Sequence, residues 1–536
     1  MLTRTRSLPA VLAALVLLAA CGENGPFPVE GSPTPVPPRE VAVTAVDRAT
    51  GDPIAGATIS VGGTEVAADE TGSATLTAPV GAPVAAVAAG YEEAVAPVPV
   101  EGALEIGLRD TTLEGTVTDA AGEPLFGVDV FVDEQEDGPV ATTDEDGAYL
   151  LTDVPESGTV IFKRAGYRLG EIQLDEGAPL TLDVAMEPFS VRALYAPSAV
   201  FEAPGRLDQL LELIDATEAN AMVIDVKETD GKIYWATDLP EAVEAGAVRD
   251  NPLFDLEELL PQLKERGIYT IARMVSMKDN TTAAARPELA VINRATGEPW
   301  RDNIGGAWLD PSAPGVGEYL AALAGDLADK GFDEVQLDYI RFYSDGPYEL
   351  AETNLPNTQS FRLPAIERVL RVVSTRLQHE RAFLAADVFP ISFIVPDDQG
   401  IGQRPEVIMP FVDYFCPMVY PSHYGPGVFG YDVPNNFPYE VIDETLQIMN
   451  RQAEGLPISI RPWIQDFGYG AFPPYSAAQV RAEMQAVADN GGSGWMIWNA
   501  RATFTVAALG PPREGEDAGP VTVADPAASV APSASP

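Results

Sequence analysis

The chain has 536 residues, of which 80 are Asp or Glu and only 33 are Lys or Arg, so its formal charge at pH 7 is −47. This charge argues against nucleic acid as a partner, because such binding needs a cationic face, and it gives no attraction to anionic lipid surfaces. With only two Cys and two His, the chain also has few side chains for disulfides or for a His-rich zinc site.

The N-terminal segment, residues 1–21, is typical of an export signal. Two arginines precede an apolar run over 8–20 that is too short to cross a bilayer as a helix. The run ends in LAACG, which resembles a lipobox in which Cys21 is lipidated; an ordinary cleaved signal with an incidental Cys is the alternative. We therefore expect an exported protein, held at the outer face of the cell membrane or in the cell envelope, that meets the membrane through its N-terminal lipid alone.

Two segments lack any hydrophobic period. Residues 22–38 are rich in Pro and Gly, which predicts a tether. Residues 511–536 consist mainly of Pro, Ala, Ser and acidic residues, which predicts a disordered tail. With Cys21 lipidated, Cys416 has no partner for a disulfide, so we expect the domains to depend on their cores.

Residues 39–110 and 111–188 contain an internal repeat. Both copies carry G-x-P-(I/L)-x-G, then D-x-x-G, then AGY, with short alternating strands between Gly, Pro and Asp turns. This pattern predicts two small all-β sandwiches. It resembles the carboxypeptidase regulatory-like (transthyretin-like) domain, and the resemblance implies a spacer or adhesive unit. The acidic turns at Asp69 and Asp144 favour plain hairpin turns, with Ca²⁺ binding as the alternative.

From residue 189 to 510, strands alternate with amphipathic helices. Helical spacing of leucines, as in 207–214 and 256–263, separates short apolar runs. Eight runs are predicted as strands: 191–196, 221–226, 268–275, 334–339, 383–388, 413–420, 458–464 and 494–498. Eight β-then-α units predict an α/β fold, a (β/α)8 TIM barrel. An open, doubly wound sheet is the competing topology, but the Gly-rich phosphate turn of its nucleotide-binding forms is missing from the sequence.

Polar and aromatic residues concentrate at the ends of these strands, where the active site of such a barrel lies. Asp338 shares a strand face with Gln336, while the apolar neighbours face the helices, so its carboxylate is predicted to point into the barrel mouth. Asp387 ends the next strand. Two carboxylates ~5–10 Å apart are the pair that glycoside hydrolysis uses. The alternatives are a structural Asp–Arg pair for Asp338 and a helix N-cap for Asp387, with Asp225 as a substitute partner.

The remaining strand-end residues suit a sugar ligand. Aromatic rings stack on pyranose faces, and polar tips fix hydroxyl groups. The predicted substrate-binding residues are Asp225, Lys227, Arg273, Arg341, Tyr420, His423, Trp463, Gln465, Trp498 and Asn499.

Five motifs in order resemble one family: AMVIDVK from 221, GFDEVQLDYIRF from 331, PMVYPSHY from 417, RPWIQDF from 461 and GWMIWNA from 494. It is a poorly characterised family of glycoside hydrolases with an α-amylase-like barrel. The resemblance implies a TIM barrel acting on polysaccharide, with the strand-four Asp at Asp338. The chain departs from the pattern at Tyr343, where Pro is expected, and after Glu228, which we leave outside the catalytic set.

Three functions follow from these patterns. The first is a glycosidase acting on an extracellular or cell-envelope polysaccharide through Asp338 and Asp387, with no cofactor or metal, as a monomer. The second is a non-catalytic glycan-binding lipoprotein. The third is a metal-dependent hydrolase: a His-rich zinc site is excluded because His379 falls in a predicted helix and leaves only His423 near the strand ends, while a carboxylate-only Mg²⁺ or Ca²⁺ site stays open. Asp338→Asn separates the first two functions.

Overall fold

The computed structural model describes residues 37–133, 135, 138–175, 180–512 and 518–523. The predicted export signal, Cys21 and most of the tether lie outside these residues. No helix in the described part of the chain is long and apolar enough to cross a bilayer. The chain divides into two compact units: one runs to Ala89 and includes Glu93–Leu108, and the other comprises Gly90–Glu92 and the residues from Arg109 onward.

The first unit is an all-β module. Its central strand pairs antiparallel with one neighbour and parallel with the other, in the order β4-β1-β7, and a second sheet has the order β3-β2-β5-β6. Alternating residues of β1 and β4 are buried between the sheets, as expected for a sandwich. The strands are β1 (Arg39–Asp47), β2 (Thr58–Val61), β3 (Thr64–Ala67), β4 (Ser73–Ala78), β5 (Pro83–Val87), β6 (Ala94–Pro97) and β7 (Leu104–Leu108).

The second unit begins with another β module that repeats this arrangement. Its sheets have the orders β11-β8-β14 and β10-β9-β12-β13-β26, where the last strand comes from the C-terminal tail. The strands are β8 (Leu113–Asp119), β9 (Asp129–Val132), β10 (Ala141–Thr142), β11 (Ala148–Leu151), β12 (Gly158–Lys163), β13 (Gly170–Leu174) and β14 (Val184–Met186).

The tail differs from the prediction of a wholly disordered segment. Val521–Thr522 forms β26, which runs parallel to β13. Val523 is buried in the core of the second β module, and Arg168 donates hydrogen bonds to the Gly519 carbonyl. Burial of this valine and the added strand hydrogen bonds explain why this part of the tail is ordered. The low-complexity composition of the tail gives no sign of it.

The rest of the second unit is a curled parallel sheet with helices between its strands, so a β-rich region followed by an α/β domain is confirmed. All eight predicted strands are present, and β16 and β17 are buried throughout because helices cover the sheet. The order is β23-β22-β21-β19-β17-β16-β15-β25-β24. The strands are β15 (Val191–Ala196), β16 (Ala221–Lys227), β17 (Tyr269–Val275), β19 (Glu334–Asp338), β21 (Phe383–Val388), β22 (Tyr414–Pro417), β23 (Ser459–Ile460), β24 (Trp463–Gln465) and β25 (Gly494–Trp498), and two short strands, β18 (Ile292–Asn293) and β20 (Ala351–Glu352), pair outside the sheet.

The seventh predicted strand is split in two. β23 pairs with β22 and β24 pairs with β25, although only Arg461 and Pro462 separate them. Proline lacks the N–H group that a strand ladder needs, which accounts for a break at this point. An isolated parallel bridge also joins Met418 to Trp463.

The helices cover the outer face of the curled sheet. In α2 and α4 the buried residues are the leucines and isoleucine of the predicted helical spacing. The helices are α1 (Ser198–Glu202), α2 (Arg206–Asp215), α3 (Pro240–Glu244), α4 (Leu256–Glu265), α5 (Asn280–Ala285), α6 (Val316–Asp329), α7 (Gln359–Arg376), α8 (Ile391–Ile394), α9 (Pro405–Ile408), α10 (Pro438–Ala453) and α11 (Ala477–Asp489).

The second β module packs against the amino ends of the sheet strands. Lys163 donates to the carbonyl oxygen of Ala382 at 2.6 Å, immediately before β21. The backbone N–H of Gly166 donates to the Tyr414 hydroxyl at 3.0 Å, at the start of β22. The module therefore leaves the carboxyl ends of the strands, at the opposite rim, uncovered.

Candidate active site

A cavity of about 530 Å³ opens at the carboxyl ends of the sheet strands. Charged groups, apolar groups and aromatic rings all line it. Its lining residues are Arg273, Asp338, Tyr339, Arg341, Asp387, Phe389, Pro390, Ile391, Met418, Tyr420, His423, Tyr424, Gly425, Val428, Trp463 and Trp498. Eight of the predicted site residues are among them, so the strand-end pattern locates the cavity.

Arg273, on β17, lies at the centre of the charged groups. Its Nη1 donates to Asp225 at 2.5 Å, its Nη2 donates to Asp338, and its Nε lies 3.8 Å from the Asp387 carboxylate. Burial opposes the charge on Arg273, but Asp225 and Asp338 outweigh that cost and hold the pKa of its guanidinium well above the usual value. Because Arg273 lies between Asp338 and Asp387, their nearest carboxylate oxygens are at most about 9 Å apart, which does not exceed the upper end of the ~5–10 Å range of glycosidase pairs.

Asp338 ends β19 and faces the cavity, as the strand alternation predicts. Its Oδ1 accepts the backbone N–H of Tyr339 at 2.6 Å, while its other oxygen accepts from Arg273. Tyr339 has φ +54°, a left-handed conformation that is costly for a bulky residue. The chain therefore turns sharply after Asp338. The Asp–Arg pair that the sequence leaves as an alternative is present, and Asp338 still lines the cavity.

Asp387 is the penultimate residue of β21 and is almost completely buried. The indole N–H of Trp463 donates to its Oδ1 at 2.7 Å, whereas Oδ2 accepts no hydrogen bond from any described residue. Burial, followed by the negative charge of Asp338, raises the pKa of Asp387 well above the usual carboxyl value. Asp387 is not a helix N-cap, because α8 begins after Pro390 and has no side-chain cap.

Asp225 lies beneath the cavity. It is fully buried, accepts hydrogen bonds from Arg273 and Tyr195, and does not line the cavity. Burial raises the pKa of Asp225 to about 6, against the opposing effect of Arg273. Its position makes it a support for Arg273 rather than a ligand contact.

Three further predicted binding residues point into the protein. Lys227 pairs with the buried Asp279 at 2.9 Å. Gln465 accepts the backbone N–H of Ser422 at 3.1 Å, and Asn499 donates to the Asp466 carbonyl at 2.6 Å. Asp225, Lys227, Gln465 and Asn499 therefore do not line the cavity, because their polar groups bind neighbouring elements, and their contact with a ligand stays a prediction.

The aromatic residues divide into two kinds. Trp463 lines the cavity but is almost completely buried, and its indole N–H donates to Asp387. Trp498 lines the cavity with one face stacked on Tyr195, at 4.1 Å between ring centres. Tyr420 and His423 also line the cavity, with their ring centres 5.4 Å apart.

Two groups at or beside the cavity are not among the predicted site residues. Tyr195 is the first: it donates to Asp225 and supports Trp498, but within the apolar run of β15 it reads as a core residue. The second is the apolar part of the cavity lining, which comes from the segments that follow the strands. It comprises Phe389, Pro390, Ile391, Met418, Tyr424 and Val428. Loop residues of this kind have no periodicity that would reveal their orientation.

The described residues contain no cluster of three or more His, Cys, Asp or Glu that could hold a metal ion. His423 lines the cavity, whereas His379 lies in the turn after α7, outside the helix in which it is predicted. The ring of His379 lies 6.2 Å from that of Phe131, in the second β module. The two histidines thus lie at opposite ends of the curled sheet.

The family model described as "Putative glycosyl hydrolase domain" matches residues 193–504, more than half of the chain. The chain belongs to this family. The carboxypeptidase regulatory-like domain model matches residues 112–187, which correspond to the second β module. Family membership supports an activity on glycans.

Solved structures provide further matches. A hypothetical protein from Ruminiclostridium thermocellum is 32% identical, over 36% of this chain and 97% of its own, with a TM-score of 0.32. The PgaB (BpsB) glycoside hydrolase domain from Bordetella bronchiseptica is 14% identical, over 60% and 99%, with a TM-score of 0.42. The catalytic domain of a β-amylase from Paenibacillus polymyxa is 12% identical, over 61% and 96%, with a TM-score of 0.40. No curated protein matches the chain.

Proposed function

We propose that this protein is a glycosidase in which Asp387 is the general acid and Asp338 is the ionised carboxylate. The supporting observation is the contrast between two neighbouring carboxyl groups. Asp338 is held by Arg273, whereas Asp387 is buried with one oxygen that has no hydrogen-bond partner among the described residues. A protonated Asp387 can donate to the leaving oxygen while Asp338 stabilises positive charge at the sugar or attacks it.

The domain that carries this pair is, in our proposal, a complete (β/α)8 barrel. The two halves of the seventh strand pair with different neighbours, and the bridge from Met418 to Trp463 spans the gap between them. A complete barrel accounts for the collection of catalytic side chains at one rim.

We also propose that the protein is exported and anchored by a lipid on Cys21, which places the cavity outside the cell near a cell-envelope polysaccharide. The lipobox-like LAACG supports this proposal. Replacement of Cys21 by Ala should move the protein from the membrane fraction to the soluble fraction, and retention in the membrane fraction would contradict lipid anchoring.

Asp338→Asn tests the proposed activity. We expect this variant to lose at least about 100-fold in release of reducing sugar from a panel of extracellular and cell-wall polysaccharides, because it removes the charge that stabilises the transition state. Asp250→Asn, in an exposed loop of the same domain, makes the same chemical change away from the cavity and should retain activity. Thermal unfolding of both variants controls for folding.

Full activity of the Asp338→Asn variant would show that Asp338 takes no part in the reaction. Binding of a glycan by the wild type with no cleavage would instead support the second function, a glycan-binding lipoprotein.

A further inference from the structure

Arg341 is a second guanidinium on the wall of the cavity, and its position is fixed. Its Nη1 donates to the Phe342 carbonyl and to the Ser344 hydroxyl, both at 3.0 Å. Its guanidinium carbon lies 4.8 Å from the ring centre of Trp308 and 5.0 Å from that of Tyr339, and Phe389 lies 5.1 Å away on the same group. These cation–π contacts hold the group in place without neutralising it.

Arg341 differs from the other buried arginines in the described part of the chain. Arg273 is paired with Asp225, Arg362 with Asp398 and Arg461 with Glu334. Arg341 is buried to a similar degree, yet no carboxylate of a described residue lies at ion-pair distance from it. A buried cation without an anionic partner is costly, and in a chain of net charge −47 an acidic partner is the commonest solution.

The unused edge of Arg341 has a defined chemistry. Nε and Nη2 make no hydrogen bond to the described residues, and neither is among the buried polar atoms sealed from solvent. This pair of N–H groups forms a fork that can donate to both oxygens of a carboxylate. We propose that Arg341 binds the carboxylate of a uronic acid residue, so that the substrate is an acidic glycan. This inference rests on the proposed function, because it places the bound sugar in the same cavity as Asp338 and Asp387.

The charges around the cavity favour a carboxylate over other sugar substituents. Arg273 is already paired with Asp225 and Asp338, whereas Arg341 interacts with Asp338 and Asp345 only at longer range and has no carboxylate at ion-pair distance among the described residues. A sugar hydroxyl would give the guanidinium of Arg341 no anionic partner in direct contact, and the ammonium group of an amino sugar would be repelled by it. The recognition must be local, because the acidic surface as a whole repels polyanions.

Matched substrates test this inference. We would measure cleavage and calorimetric binding of oligomers of galacturonic, glucuronic and mannuronic acid. Each would be compared with its carboxyl-reduced counterpart, which keeps the sugar and the linkage but is neutral. For at least one series, the wild type should prefer the acidic form by roughly 10- to 100-fold, the range expected for a charge-assisted hydrogen-bond pair.

In the Arg341→Gln variant, the acidic and the carboxyl-reduced substrates should be bound and cleaved almost equally well. Arg341→Lys should keep part of the preference, because lysine keeps the charge but lacks the two N–H groups that bind both carboxylate oxygens. Arg451→Gln, at an exposed position of α10, is the matched control and should keep the full preference. Melting curves of all variants control for folding.

The inference is contradicted if no oligouronide is bound or cleaved better than its reduced counterpart. It is also contradicted if Arg341→Gln keeps the preference, or if a sulfated or amino-sugar oligosaccharide is the preferred ligand. Preferential binding of an oligouronide without any cleavage would uphold the role of Arg341 and reject the glycosidase activity, so the two proposals fail separately.

Discussion

At the scale of single residues, the environment gives two identical side chains different chemistry. Asp338 and Asp387 lie at the carboxyl ends of neighbouring strands, but Arg273 donates directly to Asp338 and lies 3.8 Å from Asp387. Asp387 is also buried, which favours its neutral form. A neutral, buried Asp387 beside a carboxylate that is paired with Arg273 is the arrangement that an acid and its partner require.

Trp463→Phe tests how Asp387 is tuned. The indole N–H stabilises the ionised form of Asp387, so its removal should raise the pKa of this carboxyl further. Because the acid must be protonated, activity is lost as pH rises through this pKa, and the alkaline limb of kcat/KM should move to higher pH. A pH profile of kcat/KM measures the shift.

Trp498→Phe is the matched control, since Trp498 lines the same cavity and makes no hydrogen bond to Asp387. Its profile should keep the wild-type alkaline limb. If the alkaline limb of kcat/KM in Trp463→Phe stays at the same pH or moves to lower pH, Asp387 does not carry the proton.

At the scale of elements, the sequence predicts the strands well and the side chains unevenly. Apolar runs bounded by turns identify all eight strands, because burial on both faces leaves few polar residues within them. The direction of Lys227 could not be predicted, since it depends on Asp279 in the loop after the next strand. Tyr195 was missed for a similar reason: only the neighbouring strand reveals its partner, Asp225.

Gly494→Ala tests how closely β25 and β15 approach. Gly494 has φ +103°, and a Cβ there would lie 1.8 Å from the Val191 carbonyl oxygen, which is backbone and cannot turn away. We expect a loss of several kcal/mol in the free energy of unfolding, beyond the ~1–3 kcal/mol of backbone strain alone. Chemical denaturation monitored by tryptophan fluorescence measures the loss.

Gly491→Ala is the control for that strain. Gly491 also has a positive φ, +70°, but nothing lies within 4 Å of its Cβ position. Equal destabilisation by the two substitutions would mean that conformation, and not the contact between β25 and β15, sets the cost.

At the scale of the whole molecule, binding chemistry and support occupy opposite rims of the sheet. The second β module contacts the amino ends of the strands through Lys163 and Gly166, and the cavity lies at the carboxyl ends. The tail strand β26 belongs to the supporting side, because it pairs with β13 of the module.

Truncation after Pro512 tests this division. Loss of β26 and of the buried Val523 should destabilise the second β module by about 1.5–3 kcal/mol, the value of one buried valine, and leave kcat/KM close to that of the wild type. Truncation after Val523 keeps the strand and should leave stability unchanged. A large fall in kcat/KM on truncation after Pro512 would contradict the independence of the two rims.

The leaving-group dependence of two variants tests the division of roles between Asp338 and Asp387 most directly. Aryl glycosides with a dinitrophenyl leaving group need no proton, whereas natural glycosidic bonds do. Asp387→Asn should stay within about tenfold of wild type on the activated glycoside and lose about 100-fold or more on the natural bond, and Asp338→Asn should lose activity on both. Equal losses on both substrates for Asp387→Asn, or wild-type rates for Asp338→Asn, would contradict these roles.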